Sequence, residues 1–303
     1  MNKKILLVGT VSNVAKTIEK ELKVVLKALS VFNSIEVFLV ESDSTDETVK
    51  ILEKIASNNS NVKFIALGKL KDKYPHRIAR IAYCRNIYVK YIRDNNNFGK
   101  WDYVAVADLD GMNFKLKKKG IKSCFETNIE WDGVMANQRF GYYDLYALRA
   151  SGWVEGDCFE ELEIVKKNTM PPRKSKYKFL NFIRDFRYYD KLRKSLIYDR
   201  MRVLPKKSGL IKTQSAFGGF AIYKSEIFLI NNYNINIEVK IVSEHVNFHI
   251  SLVNMKFYIN PKLINNNINI YNLNKLYILR FGRELRKFFK SNIDLWKDNR
   301  KHL

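Results

Sequence analysis

Apolar and polar positions alternate in the first third of the chain in a way that predicts strands and helices in turn. Short apolar runs typical of buried strands occupy residues 4–8, 35–40, 62–66 and 103–107. Between them, apolar side chains recur at helical spacing, which predicts helices over 14–32, from about 48 to 55, and over 76–94. This alternation predicts an α/β fold with a mostly parallel central sheet and helices on both faces.

The rest of the chain is less regular. Strands are predicted over 132–137 and, interrupted by glycines, over 214–223. Residues 166–212 carry 16 Lys and Arg side chains against 3 Asp and Glu, which predicts a basic, partly helical insert over about 156–212. Residues 271–300, rich in Leu, Phe, Arg and Lys, predict a helical tail.

Two carboxylates, Asp108 and Asp110, follow the predicted strand 103–107 and precede Gly111. Side chains two residues apart in an extended segment point the same way, so this pair can converge on one hard cation that carries the phosphates of a nucleotide. The alternative is a strand that simply ends in a turn. The acidic cluster 41–46 also follows a strand, and ligands of open parallel sheets bind beyond such ends, which favours the metal site.

Charge and cysteine content narrow the class of protein. The formal net charge of +23 favours an anionic partner: nucleic acid, phospholipid headgroups or a phosphorylated substrate. Genomic A/T bias accounts for part of the lysine excess. Three widely spaced cysteines predict neither a disulfide framework nor a zinc site, and fit a reducing, cytosolic compartment. No apolar run reaches the roughly 18 residues that a membrane span requires.

Several segments resemble nucleotide-sugar glycosyltransferases of the GT-A fold. Residues 40–48 are similar to the motif after the second strand of the large inverting superfamily, and Asp108-Leu109-Asp110 resembles the D-x-D metal motif. A narrower similarity, to the fungal capsule-associated mannosyltransferase family and its bacterial relatives, runs from about residue 5 to 250. It is carried by residues 77–86, 108–111, 143–149, 216–223 and 243–246.

The resemblance implies a metal-dependent transferase with a GDP-sugar or UDP-sugar donor and Mn²⁺ or Mg²⁺ as the metal. Asp110 would touch the metal directly, and Asp108 would face the ribose or a metal-bound water. The implied organisation is a catalytic domain over 1–265, with a nucleotide-binding half over about 1–111 and an acceptor half over about 112–265. A basic amphipathic tail over 266–303 would follow.

The nucleoside end of the donor is expected at Glu41 or Asp43, with Thr10 close by. Arg85 with Asn86 suits a pyrophosphate, because a guanidinium gives bidentate and permanently charged contacts. Arg80 is a further candidate on the same helix. The alternatives are an acid cluster that starts a helix, for the first group, and a solvated basic helix face, for the second.

An inverting transferase also needs a general base for the acceptor hydroxyl. Glu244 is the first candidate, but the superfamily more often has Asp at the next position, where this chain has His245. Glu244, His245 or Asp144 could therefore serve, and His245 could instead bind the metal. His249 is interpreted as an ordinary helix-face histidine. A retaining enzyme would need no dedicated base.

The predicted function is transfer of a sugar to a lipid-linked or oligosaccharide acceptor of a bacterial surface glycan, such as a lipooligosaccharide, capsule or O-antigen precursor. The basic insert and tail suit an anionic membrane surface, which predicts a cytoplasmic protein peripheral on the inner face of the plasma membrane. The alternative is a nucleic-acid-binding protein or metal-dependent nuclease. Because the chain has no recognised nucleic-acid module, we expect no nucleic-acid partner.

Overall fold

The computed structural model describes residues 1–96, 99–169, 171, 175–234, 242–267, 280–287 and 290. The strands are β1 (Lys4–Val11), β2 (Ser34–Glu41), β3 (Val62–Ala66), β4 (Tyr103–Ala107), β5 (Gly133–Gln138), β6 (Ile211–Thr213), β7 (Phe220–Lys224) and β8 (Phe257–Asn266). The α-helices are α1 (Ile18–Leu29), α2 (Thr48–Ser57), α3 (Arg77–Asn95), α4 (Lys118–Lys122), α5 (Cys158–Asn168), α6 (Lys178–Leu196), α7 (Ile227–Ile230) and α8 (Glu244–Ile250). Two 3₁₀ helices span Tyr198–Arg200 and Lys206–Ser208.

The strands form one eight-stranded sheet in the order β3-β2-β1-β4-β7-β5-β8-β6. The first four strands of that order are parallel, as are β5 and β8, whereas β7 runs antiparallel to both of its neighbours, β4 and β5. The predicted α/β class with a mostly parallel sheet is therefore confirmed. Because β7 is antiparallel, it begins where β4 ends, and this places Gly218 and Gly219 beside Asp108, whose backbone N–H donates to the Gly219 carbonyl at 3.0 Å.

Both faces of the sheet are apolar, which is why β1 and β4 lack an alternation of apolar and polar residues. Leu6 and Val8 contribute to the core on one face, together with buried side chains of α3. Ile5 and Leu7 contribute to the core on the other face, together with the apolar stripe of α1. At Gly9 an added Cβ would lie 2.6 Å from the Ala107 carbonyl oxygen, so glycine lets the ends of β1 and β4 approach.

The described parts of the insert and the tail contain helices. The insert contains α5 and α6, as predicted, and residues 280–287 of the tail form a helix that packs against α6. Residues 271–279, 288–289 and 291–300 of the predicted tail helix lie outside the described part of the chain. Strands β6 and β8 were not predicted. Among the described residues, none of the helices is long and apolar enough to cross a membrane.

Candidate functional site

A cavity of about 870 Å³ opens at the carboxyl ends of β1, β2 and β4. Its wall also includes residues of α3, of the segment 143–147, of α8, and of the helices of the insert and tail. Nine of the predicted site residues line it: Thr10, Asp43, Arg80, Arg85, Asp108, Asp110, Asp144, Glu244 and His245. Glu41 and Asn86 are not part of the lining.

The carboxylate pair lies on this wall directly after β4. Burial by the surrounding protein, together with the negative charge of Asp108, raises the pKa of Asp110 to about 6. The side chain of Asp110 is nevertheless open to the solvent of the cavity. A positive ion between the two carboxylates would remove the repulsion that Asp108 exerts on the charged form of Asp110.

Glu21 supports the loop that carries this pair. The side chain of this α1 residue is fully buried, and its carboxylate accepts hydrogen bonds from the backbone N–H groups of Gly111, at 2.6 Å, and Asn113, at 2.7 Å. Burial raises the pKa of Glu21 to about 7, against the opposing effect of these donors. Sequence analysis did not single out Glu21, because one acidic residue on an amphipathic helix is ordinarily exposed.

A buried amide network continues from the same loop into the second half of the chain. Asn113 donates from Nδ2 to the Asp108 carbonyl at 2.6 Å, and its Oδ1 accepts from Asn265 Nδ2 at 3.1 Å. Asn265 and Gln138 both donate to the Gly218 carbonyl, at 2.8 and 2.9 Å. Gly218 and Gly219 have φ values of 73° and 85°, so glycine supplies the left-handed backbone that this packing requires.

Arg85 is a buried link between the carboxylate pair and helix α8. Its guanidinium donates to Asp108 Oδ1, to Glu244 Oε1 and to the Tyr88 hydroxyl, each at 3.2 Å, and only 2% of the side chain is exposed. Phe217 and Tyr233 place their rings over the guanidinium at 5.3 and 5.5 Å. The permanent charge that was expected to bind pyrophosphate therefore already has two carboxylate partners in the protein.

The acids at the end of β2 are held by backbone contacts. Glu41 is buried and accepts from the Ser44 N–H at 2.9 Å. Asp43 has φ 60°, and its Oδ1 accepts from the N–H groups of Leu70 and Lys71, both at 2.9 Å. These contacts order the loop beside Thr10, and of the two acids only Asp43 reaches the cavity.

The two other cofactor candidates on α3 are also engaged inside the protein. Arg80 donates to the carbonyls of Tyr74 and Pro75 at 2.7 and 2.8 Å, and pairs with Asp43 at 3.5 Å. Asn86 donates to, and accepts from, the backbone of Tyr233 at 3.0 and 2.8 Å. Arg77, the first residue of α3, is instead exposed, lines the cavity and lowers the pKa of Asp110 through its charge. Arg77 belongs to the segment 77–86 that carries the family resemblance, but sequence analysis did not predict it as a site residue.

His245 and His249 occupy different environments on α8. His249 contacts the hydroxyls of Ser215 and Tyr223, each at 2.9 Å, which agrees with its interpretation as a structural residue. His245 lies 3.8 Å from Phe217, ring centre to ring centre, and neither of its ring nitrogens has a hydrogen-bond partner among the described residues. Burial and the charge of Arg85 hold the pKa of His245 well below its usual range, so its imidazole is neutral.

Asp144 is half-buried, with each carboxylate oxygen on a backbone donor. Oδ2 accepts from Gly218 N at 2.9 Å, and Oδ1 accepts from Ala147 N at 3.3 Å. Burial outweighs these donors and raises the pKa of Asp144 from 3.8 to about 6. The carboxylate therefore fixes Gly218 while it faces the cavity.

The raised pKa of Asp144 has a measurable consequence for stability. A folded-state pKa above the unfolded value stabilises the protein at low pH, and this contribution is lost as the pH rises from about 4 to about 6. The whole decline is about 3 kcal/mol at 1.36 kcal/mol per pKa unit, and Asp144→Asn should abolish it. Urea unfolding of both proteins at pH 4.5 and 7 should detect about 2 kcal/mol of this difference, because the measurement begins above the unfolded pKa. Parallel pH profiles would contradict the assignment.

The donor set at the cavity fits a hard divalent cation at Asp108 and Asp110. Both are carboxylates, which suit Mn²⁺ or Mg²⁺, and the charge of Asp108 adds to the effect of burial in raising the pKa of Asp110. Within the described residues, no three side chains of His, Cys, Asp or Glu gather into a metal-binding group, so His245 is not brought to the pair. Two protein ligands are sufficient when substrate phosphates and water complete the coordination shell.

Solved structures with partial similarity include three glycosyltransferases. TarS 1-349 of S. aureus is 14% identical, with a TM-score of 0.44 over 87% of this chain and 60% of that one. Mannosyltransferase PcManGT of Pyrobaculum calidifontis, in complex with GDP-Man and Mn²⁺, is 13% identical, with a TM-score of 0.47 over 88% and 57%. Glucosyl-3-phosphoglycerate synthase of Mycobacterium tuberculosis, in complex with UDP, is 14% identical, with a TM-score of 0.32 over 74% and 58%.

These similarities are too weak to carry an argument about ligands or activity. The chain spans about 60% of the length of the first of these solved structures and slightly less of the other two. A search of curated proteins found no significant match. The narrower resemblance to the fungal capsule-associated family is not shown by these comparisons.

A family model gives the more specific result. Residues 10–92 match Glycosyl transferase family 2. This segment runs from the end of β1 to α3, and it contains Thr10, Glu41, Asp43, Arg80, Arg85 and Asn86. This match supports the prediction of a glycosyltransferase, and the matched segment contributes one wall of the cavity.

Proposed function

We propose that this chain is a metal-dependent glycosyltransferase that moves a sugar from a nucleoside-diphosphate sugar to a saccharide hydroxyl. The observation that carries the proposal is the carboxylate pair Asp108 and Asp110 in a cavity whose adjoining wall is contributed by the segment that matches Glycosyl transferase family 2. That wall suits the nucleoside, because Thr10 and Asp43 line it beyond the ends of β1 and β2.

Asp108 and Asp110 would hold Mn²⁺ or Mg²⁺, which when bound neutralises the charge of the leaving diphosphate. Arg77 adds a cation on the same wall and is more accessible than Arg85. In this scheme Arg85 is a positioning residue, because it fixes Asp108 and Glu244 relative to each other. Hydrogen bonds between Glu21 and Asn113 hold the loop that follows β4 and carries Asp108 and Asp110.

Glu244 is the proposed general base if the anomeric configuration is inverted. Its carboxylate lines the cavity at the start of α8. The strongly lowered pKa of His245 makes that imidazole a poor proton acceptor, and both oxygens of Asp144 are used by backbone donors. His245 is better suited to hydrogen-bond a substrate hydroxyl, since its two buried nitrogens accept or donate no hydrogen bond within the described part of the chain.

The acceptor is proposed to be a lipid-linked or oligosaccharide precursor of a bacterial surface glycan, reached from the cytoplasmic face of the plasma membrane. The resemblance found in the sequence supports this assignment, as does the strongly basic chain. A nucleic-acid substrate is less favoured, because the described wall of the cavity carries seven Asp and Glu side chains against six Lys and Arg. Single-stranded nucleic acid requires a positively charged groove.

Thermal-shift measurements with UDP, GDP and CMP, each with and without Mn²⁺, test the proposal. We expect one nucleoside diphosphate to stabilise the protein in a metal-dependent way, by about 2.7 kcal/mol at a hundredfold excess over Kd. Identification of that nucleotide assigns the donor class. Stabilisation only by oligonucleotides, or by no nucleotide at saturating Mn²⁺, would reject the proposed function.

A further inference from the structure

The beginning of α6 exposes apolar and cationic side chains together. Tyr177, Phe179 and Leu180 are 57%, 44% and 48% exposed, although side chains of this kind are usually buried. They alternate with Lys176 and Lys178, which are also exposed, and Lys176 lies 5.1 Å from the ring of Tyr177. We call residues 176–180 the aromatic end of α6.

A basic stripe continues along the same helix. Arg187, Lys191 and Lys194 are exposed, and their spacing of four and then three residues places them on one face. Lys194 pairs with Asp199 at 2.7 Å, at the far end of the stripe. The stripe and the aromatic end together form an exposed surface that we call the α6 surface.

The tail packs against a different face of α6. The α6 surface is therefore not the face through which this helix joins the core. Phe182 and Phe186 pack against Phe281, with ring centres 6.2 and 5.1 Å apart. Asp190 forms a buried ion pair with Arg280. The described part of the tail is therefore engaged with α6, although the sequence suggested that insert and tail together would contact a membrane.

We propose that the α6 surface docks on an anionic phospholipid bilayer. Aromatic and leucine side chains favour the boundary between headgroups and acyl chains, and cations beside them are attracted to anionic headgroups. The described helices cannot span the bilayer, so this contact would be peripheral. An acidic protein partner would interact with the cations but would gain less from three exposed apolar side chains within four residues.

Docking would bring the cavity close to the membrane. Fifteen residues separate Lys178 from Arg193, which lines the cavity, and at 1.5 Å per residue this distance is about 22 Å. A saccharide attached to a lipid could cross such a distance. This last step rests on the proposed function, whereas the docking itself does not.

Vesicle flotation of the full chain tests the docking. The probes are vesicles of phosphatidylcholine with about 30% anionic phosphatidylglycerol, and vesicles of phosphatidylcholine alone. We expect binding to the anionic vesicles and at least about tenfold weaker binding to the neutral ones. The triple variant Tyr177→Ser, Phe179→Ser, Leu180→Ser is expected to lose about tenfold in affinity for anionic vesicles, as is Arg187→Glu with Lys191→Glu.

A matched control replaces exposed apolar residues elsewhere. Ile230 and Val253 are 67% and 76% exposed, and Ile230→Ser with Val253→Ser should leave vesicle binding unchanged. Failure of the wild-type chain to float with anionic vesicles would overturn the proposal. So would equal binding by the wild-type and triple-variant proteins, or an equal loss in the control.

A nucleotide-binding readout separates this inference from the proposed function. The triple variant should keep the metal-dependent thermal shift with nucleoside diphosphate, because the changed residues lie outside the cavity wall. Flotation without any nucleotide shift would support docking and reject the glycosyltransferase. A metal-dependent thermal shift with nucleoside diphosphate but no flotation would reject the docking and support the proposed function.

Discussion

Asp110→Ala should reduce the rate of sugar transfer by about 10²–10³-fold while the protein remains folded, which is the usual effect of removing one group that stabilises developing charge. Asp110 is the member of the pair whose side chain is open to the cavity, whereas Asp108 is already engaged by Arg85. The variant should be no less stable than the wild type above pH 6, because the raised pKa of Asp110 shows that its charge is unfavourable in the metal-free protein.

Steady-state kinetics of donor turnover, together with urea unfolding, measure both parts of this expectation. The matched control is Asp102→Asn, which changes an aspartate at the opposite end of β4 that pairs with Lys3 at 2.8 Å. It should leave kcat/KM within about twofold per folded molecule, since it is remote from the cavity. Full activity of Asp110→Ala would remove the metal assignment.

Arg85→Met should destabilise the fold by about 3–5 kcal/mol at pH 7, because it leaves the carboxylates of Asp108 and Glu244 without their buried partner. Urea unfolding of the wild-type and variant proteins at pH 7 provides the measurement.

Arg93→Met on the same helix is the control for Arg85. Arg93 donates to the carbonyls of Phe228 and Asn231 and to the Asn232 side chain, at 2.9, 2.7 and 3.0 Å. Its removal loses hydrogen bonds without leaving a buried carboxylate unpaired, so its cost in the free energy of unfolding should be smaller. A similar cost for the two variants would show that Arg85 is not an electrostatic link between Asp108 and Glu244.

The parts of the fold that sequence analysis predicted are those encoded by local periodicity. The parallel strands β1 to β4 are short and mostly apolar, and they were predicted. Strand β8 was missed because three asparagines and Pro261 interrupt it, and proline ordinarily argues against an internal strand. In the structure the pairing of β8 with β5 shifts register near Asn137, whose side chain donates to the Pro261 carbonyl at 3.3 Å.

The candidate site likewise has features that local sequence patterns predict and features that they do not. Asp108 and Asp110 are adjacent in sequence and follow one strand, so their proximity could be predicted. Glu244, one of the two carboxylate partners of Arg85, is 159 residues away in the sequence, and no local pattern reports such a contact. The roles expected of Glu41, Arg80 and Asn86 relied on residue type and position along the chain, whereas the structure shows each of them in contacts with the protein backbone.

The amide network below the carboxylate pair limits how this protein could be recombined. Glu21, Asn113, Asn265 and Gly218 come from four separate parts of the chain and share one set of hydrogen bonds. A nucleotide-binding half transplanted onto a foreign acceptor half would therefore leave Asn113 without its partner unless Asn265 and the Gly218-Gly219 turn were carried with it. The two halves are not interchangeable modules, and a functional chimera would need its junction to preserve this contact.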